Sequence, residues 1–361
     1  MSERVPLREV LARVSRSFYL SLWLLPEQTR FAVALAYLLA RAADTIADTR
    51  LVPRERRLEL LVRFRAACAG GAKSSSVDAL LGELAALELS DDAIQEEQEL
   101  LAELRLCLAA LSELPELEAT LIRRVLETLT EGMVADLEAF PGEDATQLAS
   151  LTTRSELLHY TYQVAGCVGE FWSLIHAARL PALGRRVQGK LPEFCQSGVR
   201  LGRALQLTNV LRDLRRDLQH GRCYLPSQSL GELGLSPQDL LEPQSWTRVR
   251  PLYEDLVAQA VRDARAGLEH VLAVPASFRF LRLAELLPLL LALRTLGLAF
   301  AENPLAEGSR RKVARSEVYR LLAKGLWKAG DDAALRRWCR AEARAAGLGA
   351  YWVSGACSLA R

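Results

Sequence analysis

The sequence predicts an all-α protein on three observations. Glycine and proline are scarce, 22 and 14 in 361 residues, while the strong helix formers Leu, Ala, Arg and Glu are abundant. Apolar residues recur at three- and four-residue spacing through nearly the whole chain, the period of an amphipathic helix. Alternating apolar and polar runs of the strand type are nearly absent. A hydrophobic content of 50% with 25% charged residues lies far from the disordered regime, and the length suffices for a large core.

The elements follow in order. Segment 8–25 is helical in period and stops at the turn Pro26-Glu27. Segment 28–48 is an apolar helix with polar residues on one face. The helix 53–69 opens on Pro53, whose missing N–H is harmless in a first turn, and ends at Gly70-Gly71. AKSSS (72–76) then reads as a flexible linker. The same periodicity predicts helices at 76–88, 91–112, 115–137, 153–178, 192–219, 236–241, 246–272, 276–301, 314–328 and 331–346. Two loops interrupt them, 138–152 with Pro141-Gly142 and 221–235 with Gly221 and Pro226. Loops of this kind carry function.

Several function classes are excluded. Lys+Arg 46 against Asp+Glu 44 leaves a net charge of +2, so no nucleic-acid partner is expected. The seven cysteines are scattered without a C-x-x-C, which argues against a disulfide framework or zinc site. No uninterrupted apolar stretch reaches the roughly 18 residues of a membrane span; Leu286 to Phe300 is broken by Pro288 and Arg294. The charged N-terminus has no signal-peptide core. A cytoplasmic protein without a transmembrane helix is the expectation. Glycine-rich phosphate loops and Ser or Cys nucleophile motifs are absent from the sequence.

Two stripes carry the chemistry. Asp44 and Asp48 lie one helical turn apart, and the same face runs back through Arg41 to Tyr37. Gln206, Asn209, Asp213 and Asp217 form a second stripe ending in the same D-x-x-x-D spacing. A single such pair is usually a solvated face, and Arg215 and Arg216 are candidates to neutralise the second. Two matched pairs, each with Arg or Asn beside it, argue for more. If the pairs face each other, four carboxylates converge and repel unless a hard cation joins them. Oxygen-only donors favour Mg²⁺, which completes its shell with water and phosphate oxygens. The implied ligand is a phosphate or diphosphate, with Arg41 and Arg212 as further anion partners.

Two lesser segments add to this. In 159–169, Gly166 and Gly169 make sense where a neighbouring helix or an apolar ligand comes close, and the two readings stand equal. Tyr160 and Tyr162 can present rings and hydroxyls to a cavity. Ser15, Arg16 and Phe18 begin an apolar helix, a setting suited to an anion or to plain capping.

Together these segments resemble the squalene/phytoene synthase family of head-to-head prenyltransferases. The resemblance runs through SRSFYLSLWLLP (15–26), AYLLARAADTIAD (36–48), EGMVADL (131–137), YTYQVAGCVGEFW (160–172) and LQLTNVLRDLRRDLQHGRCYLP (205–226). It implies a single isoprenoid-synthase-type bundle around a central apolar cavity, one domain over 1–361 with 320–361 as a helical extension. It further implies that Asp44, Asp48, Asp213 and Asp217 hold diphosphate through Mg²⁺. Ser15, Arg16, Phe18, Tyr37, Arg41, Gln206, Asn209 and Arg212 are implied to line the substrate, and Tyr160 to assist proton removal. Arg41, Asn209, Arg212, Lys312 and Arg315 are implied to face NADPH. The sequence departs from the family pattern at Ala47 and Arg216, where acidic residues are frequent.

The implied reaction joins two farnesyl diphosphates to presqualene diphosphate and reduces it with NADPH to squalene. Enzymes stopping at presqualene diphosphate, hydroxysqualene or phytoene are the alternatives, and a silent assembly factor is the alternative of another class. The sequence leaves oligomeric state open, with a monomer as the default. A peripheral membrane contact for product release is placed on the Leu-rich segment 281–300.

Overall fold

The computed structural model describes residues 22, 24–49, 52–70, 73–86, 95–306 and 313–353. Most of the predicted first helix, 8–25, lies outside them. Among the described residues helix dominates, as the sequence predicts, and the strands are two residue pairs. The chain clusters into two compact units, Met1–Glu138 with Leu174–Arg179, and Ala139–Ser173 with Leu180–Arg361.

The first unit contains α1 (Glu27–Asp48), α2 (Arg54–Ala69), α3 (Ser74–Ala85), α4 (Gln95–Ala102), α5 (Leu104–Glu113) and α6 (Glu116–Ala139), the last residue of α6 excepted. Helix α1 buries Leu35, Leu38, Leu39, Ala42 and Ile46, the stripe its period predicts, against α2, α4 and α5. Its last turn leaves carbonyls without intrahelical donors. Arg57 of α2, itself buried, donates to the Ala47 carbonyl at 3.0 Å. Arg54 does the same for α6 through the Leu137 carbonyl at 2.7 Å. The expected linker AKSSS is shorter than predicted, because Ser74, Ser75 and Ser76 already form the first turn of α3.

The second unit begins with a short parallel ladder. Strand β1 (Ala149–Ser150) pairs with β2 (Arg222–Cys223), tying together the two loops that the sequence left unpaired. Predicted helix 153–178 is three segments: α7 (Arg154–Thr161), a π-helical turn Tyr162–Gly166, and α8 (Cys167–Arg179), of which Leu174–Arg179 clusters with the first unit. Thr153 caps α7 by accepting from the Glu156 N–H, and the Glu156 carboxylate accepts from the N–H of Thr152, just before the cap. Then follow α9 (Pro181–Arg186), α10 (Leu191–Arg212), α11 (Leu214–Gln219) and α12 (Ser227–Glu232). The long α13 (Trp246–Ala273) and α14 (Arg279–Ala301) lead to α15 (Arg315–Lys328), α16 (Asp332–Ala345) and α17 (Gly349–Val353).

Helices α10, α13 and α14 pack on one another and supply most of this unit's core, including Leu207, Leu211, Tyr253, Val257, Leu289 and Leu293. Residues 276–301 are long and apolar enough to cross a membrane, a length not expected from the sequence for the stretch around Pro288 and Arg294, and Pro288 lies inside the helix that the periodicity predicts. More than half of this apolar segment is buried. Arg282, 0% exposed, bonds the carbonyls of Val274, Leu272 and Ala329 and the Asp332 carboxylate. That is the pattern of a core helix.

Candidate active site

Helix α1 carries the first stripe. Arg41 forms ion pairs with Asp44 on the same helix and with Glu97 of α4. Burial works against its charge, but Asp44 and Glu97 outweigh this and hold its pKa above the usual value. Burial raises the Asp44 carboxyl to about 6, Asp48 adds repulsion, and Arg41 opposes both. Asp48 is exposed and Tyr37 half-buried beside Arg41. Ala47, the departure from the family pattern, is buried, so that position faces the unit's interior.

The second stripe lies on α10 and α11. The predicted continuous helix pauses at Asp213, yet the Asp213 N–H still reaches the Asn209 carbonyl and the Asp217 N–H the Asp213 carbonyl, both at 2.9 Å. The four-residue spacing therefore survives the break. Asp213 is held in a fork by its neighbour Arg212, with Nε at 2.8 Å and Nη2 as second donor. Arg215 donates to the Leu241 carbonyl at 2.6 Å, and Arg216 is exposed.

A hydrogen-bonded row leads from this stripe to an aromatic wall. Asn209 donates to the Gln206 carbonyl oxygen at 3.4 Å, and the Gln206 amide donates to the Tyr160 hydroxyl at 3.2 Å. The Tyr160 hydroxyl donates to that of Tyr224 at 3.3 Å. The two tyrosine rings stack at 4.8 Å, and Phe140 meets Tyr224 edge-on at 5.0 Å. Tyr224 and Phe140 sit on the loops that the β1–β2 ladder joins. Gly221 turns there at φ +77°, and a Cβ would meet the Asp144 carbonyl oxygen at 2.8 Å. Tyr162 donates to Glu170 at 2.9 Å.

Glycines bring α8, the π-turn and α10 together. A Cβ on Gly169 would lie 2.0 Å from the Gly198 carbonyl oxygen, and one on Gly202 2.3 Å from that of Ala165. Helix packing, one of the two readings left open by the sequence, explains both. Beside Gly166 runs the stem of Arg203, whose buried Nε has no hydrogen-bond partner.

Sequence reasoning missed Glu97, Arg57, Phe140 and Tyr224, each of which reaches its place by contacts distant in sequence. Of the other expected residues, Ser15, Arg16, Phe18 and Lys312 lie outside the described residues. Arg315 is exposed at the start of α15.

Residues 11–316 match the family model described as squalene/phytoene synthase. The chain belongs to this family. It is 29% identical to the presqualene diphosphate synthase of Zymomonas mobilis over 262 residues, 72% of each protein. A 15-cis-phytoene synthase of Enterobacter agglomerans is 38% identical over 119 residues, 32% of this chain and 37% of that protein. A squalene synthase of Eremothecium gossypii is 26% identical over 305 residues, 83% of this chain and 63% of that protein. The chain thus spans little more than a third of the phytoene synthase and less than two thirds of the squalene synthase. Its fold is similar to that of TcSQS solved with a ligand, with a TM-score of 0.71 at 20% identity, covering 94% of this chain and 91% of that one.

The squalene/phytoene synthases condense prenyl units head to head and generally use a divalent metal on their diphosphate substrates. Among the described residues no three His, Cys, Asp or Glu side chains form a ready metal cluster. Each aspartate pair nevertheless has the donor chemistry of a hard cation: carboxylate oxygens one turn apart. Burial chiefly raises Asp44, and the Asp48 repulsion that adds to it is of the kind a bound cation relieves.

Proposed function

We propose that the protein joins two farnesyl diphosphates head to head to form presqualene diphosphate and then reduces it to squalene with NADPH. The observation that carries this reading is the row from Asn209 through Gln206 to Tyr160 and Tyr224, on the helix that ends in the Arg212–Asp213 fork. Asp44 and Asp48 in one unit, and Asp213 and Asp217 in the other, would hold Mg²⁺, which supplies charge stabilisation to the departing diphosphate. Arg41 and Arg212 add fixed positive charge for the same oxygens. The stacked rings of Tyr160 and Tyr224 offer π-faces to an allylic cation without acting as nucleophiles. The Tyr160 hydroxyl, held by Gln206 and Tyr224, is positioned to receive or relay the proton lost on cyclopropane closure.

In the first half-reaction, one C–O bond breaks, one diphosphate and one proton leave, and two bonds to the second substrate form. In the second, the remaining diphosphate departs and a hydride from NADPH replaces it. Arg41, Asn209, Arg212 and the exposed Arg315 of α15 are the described residues that would face the dinucleotide. A second reading stops at presqualene diphosphate, and the matched coverage of the Zymomonas mobilis enzyme favours it. Incubation with farnesyl diphosphate and Mg²⁺, with and without NADPH, separates the two. Squalene formed only with NADPH supports the first reading; a diphosphate-bearing product in both reactions overturns it. No turnover of farnesyl or geranylgeranyl diphosphate would instead support the silent assembly factor.

A further inference from the structure

Helix α15 turns an apolar face to water. Trp327 is 94% exposed, Tyr319 66% and Leu326 41%, and with Ala323 they occupy positions i, i+4, i+7 and i+8 of one face. The opposite face, through Leu321 and Gly325, is buried against α14. A surface helix of a soluble protein ordinarily shows the reverse polarity. Helix α15 carries four cations, Arg315, Arg320, Lys324 and Lys328, against one carboxylate of its own; Arg320 pairs with that carboxylate, Glu317, which Arg294 also binds, and Lys324 reaches Glu342 of α16 at 3.6 Å. The surface extends onto the start of α14. Gly325 lies against Leu283 and Arg282 bonds the Ala329 carbonyl, so exposed Phe280, half uncovered, and Arg279 stand beside the end of α15.

We propose that α15 is a docking helix for an anionic lipid bilayer surface. Tyr and Trp present an apolar body with a polar tip, the form suited to the headgroup boundary. The flanking cations complement the negative charge of anionic lipid. The segment 281–300, on which the sequence placed membrane contact, packs against α15, and more than half of it is buried. The inference does not rest on the identity of the product, and its test reads partition, not turnover.

The test is co-sedimentation of the full chain with phosphatidylcholine vesicles, with and without about one third phosphatidylglycerol. The wild-type protein should partition onto the anionic vesicles and be released by high salt. Trp327→Ser with Leu326→Ser should weaken partition at least tenfold while circular dichroism stays unchanged, since both side chains are exposed. Arg320→Gln with Lys328→Gln should weaken it by about fivefold per cation. Absence of wild-type partition, or equal partition of the Trp327/Leu326 variant, would overturn the proposal. So would self-association in lipid-free buffer that the same variant abolishes, because the surface would then belong to a second copy of the chain.

Discussion

Burial decides the charge of two core residues in the second unit. Glu285 is fully enclosed, which raises its carboxyl to about 8, and only the Trp172 indole N–H, at 2.6 Å, and the Arg282 charge oppose this. Its second oxygen has no partner. His270 is lowered to about 4 by burial, and its Nδ1 bonds the Phe194 carbonyl at 3.1 Å, so that nitrogen carries the hydrogen. Folded Glu285 therefore keeps a proton that the unfolded chain releases near 4.5, and its contribution to stability is lost as pH rises towards 8. His270 acts oppositely, losing stability as pH falls from 6.5 towards 4. Above pH 6.5 only Glu285 contributes. Glu285→Gln should abolish its share of the fall in stability between pH 6.5 and 8, as read by denaturant unfolding at several pH values. An unchanged slope in the variant would show that other groups set it.

Tyr160 gives the residue-scale prediction for catalysis. Tyr160→Phe keeps the ring stack on Tyr224 but removes the hydroxyl between Gln206 and Tyr224. Turnover should fall roughly 10²–10⁴-fold, the usual worth of a positioned proton-transfer group, while stability changes by about 1 kcal/mol. Steady-state kinetics beside thermal melts would separate the two effects.

At the scale of elements, helix existence was legible and helix continuity was not. Three- and four-residue periodicity placed α1, α2, α6, α13 and α15 within a few residues of their observed ends. The π-turn at Tyr162–Gly166 and the pause at Asp213 left no trace in the pattern, because both depend on what packs against the backbone there. The glycine pairs show this most directly. Gly202→Ala should cost about 1–3 kcal/mol, since its methyl meets the Ala165 carbonyl and α10 must move away from the π-turn. Gly82→Ala and Gly231→Ala, with open space around each, should be neutral or stabilising by about 0.4–1 kcal/mol. Melting of the three variants side by side provides the comparison. A Gly202→Ala protein as stable as the Gly82→Ala protein would mean the close approach has no energetic weight.

At the scale of the whole molecule, the two aspartate pairs belong to different compact units, and the proposed chemistry requires both. Asp44→Asn and Asp213→Asn should each lower turnover by roughly 10²–10³-fold, with neither compensated by the other unit. Near-wild-type activity in either variant would remove that pair from the metal reading. The near-zero net charge also has local structure: Asp44 and Glu97 pair with Arg41 and Asp48 lies close enough to Asp44 to repel it, while α15 carries four cations against one carboxylate of its own.

The sequence by itself determined the all-α class, the two polar stripes and the family, because each depends on residue type at fixed local spacing. Only the tertiary structure decided that Glu97 shares Arg41 with Asp44, that Arg57 ties down the end of α1, and that Tyr224 stacks on Tyr160. It likewise decided that the Leu-rich helix lies in the core while α15 faces outward. In each case the partners are far apart in the chain, so no local period records them. Contact between distant segments, set by burial and by the need to pair buried polar groups, is what brings them together.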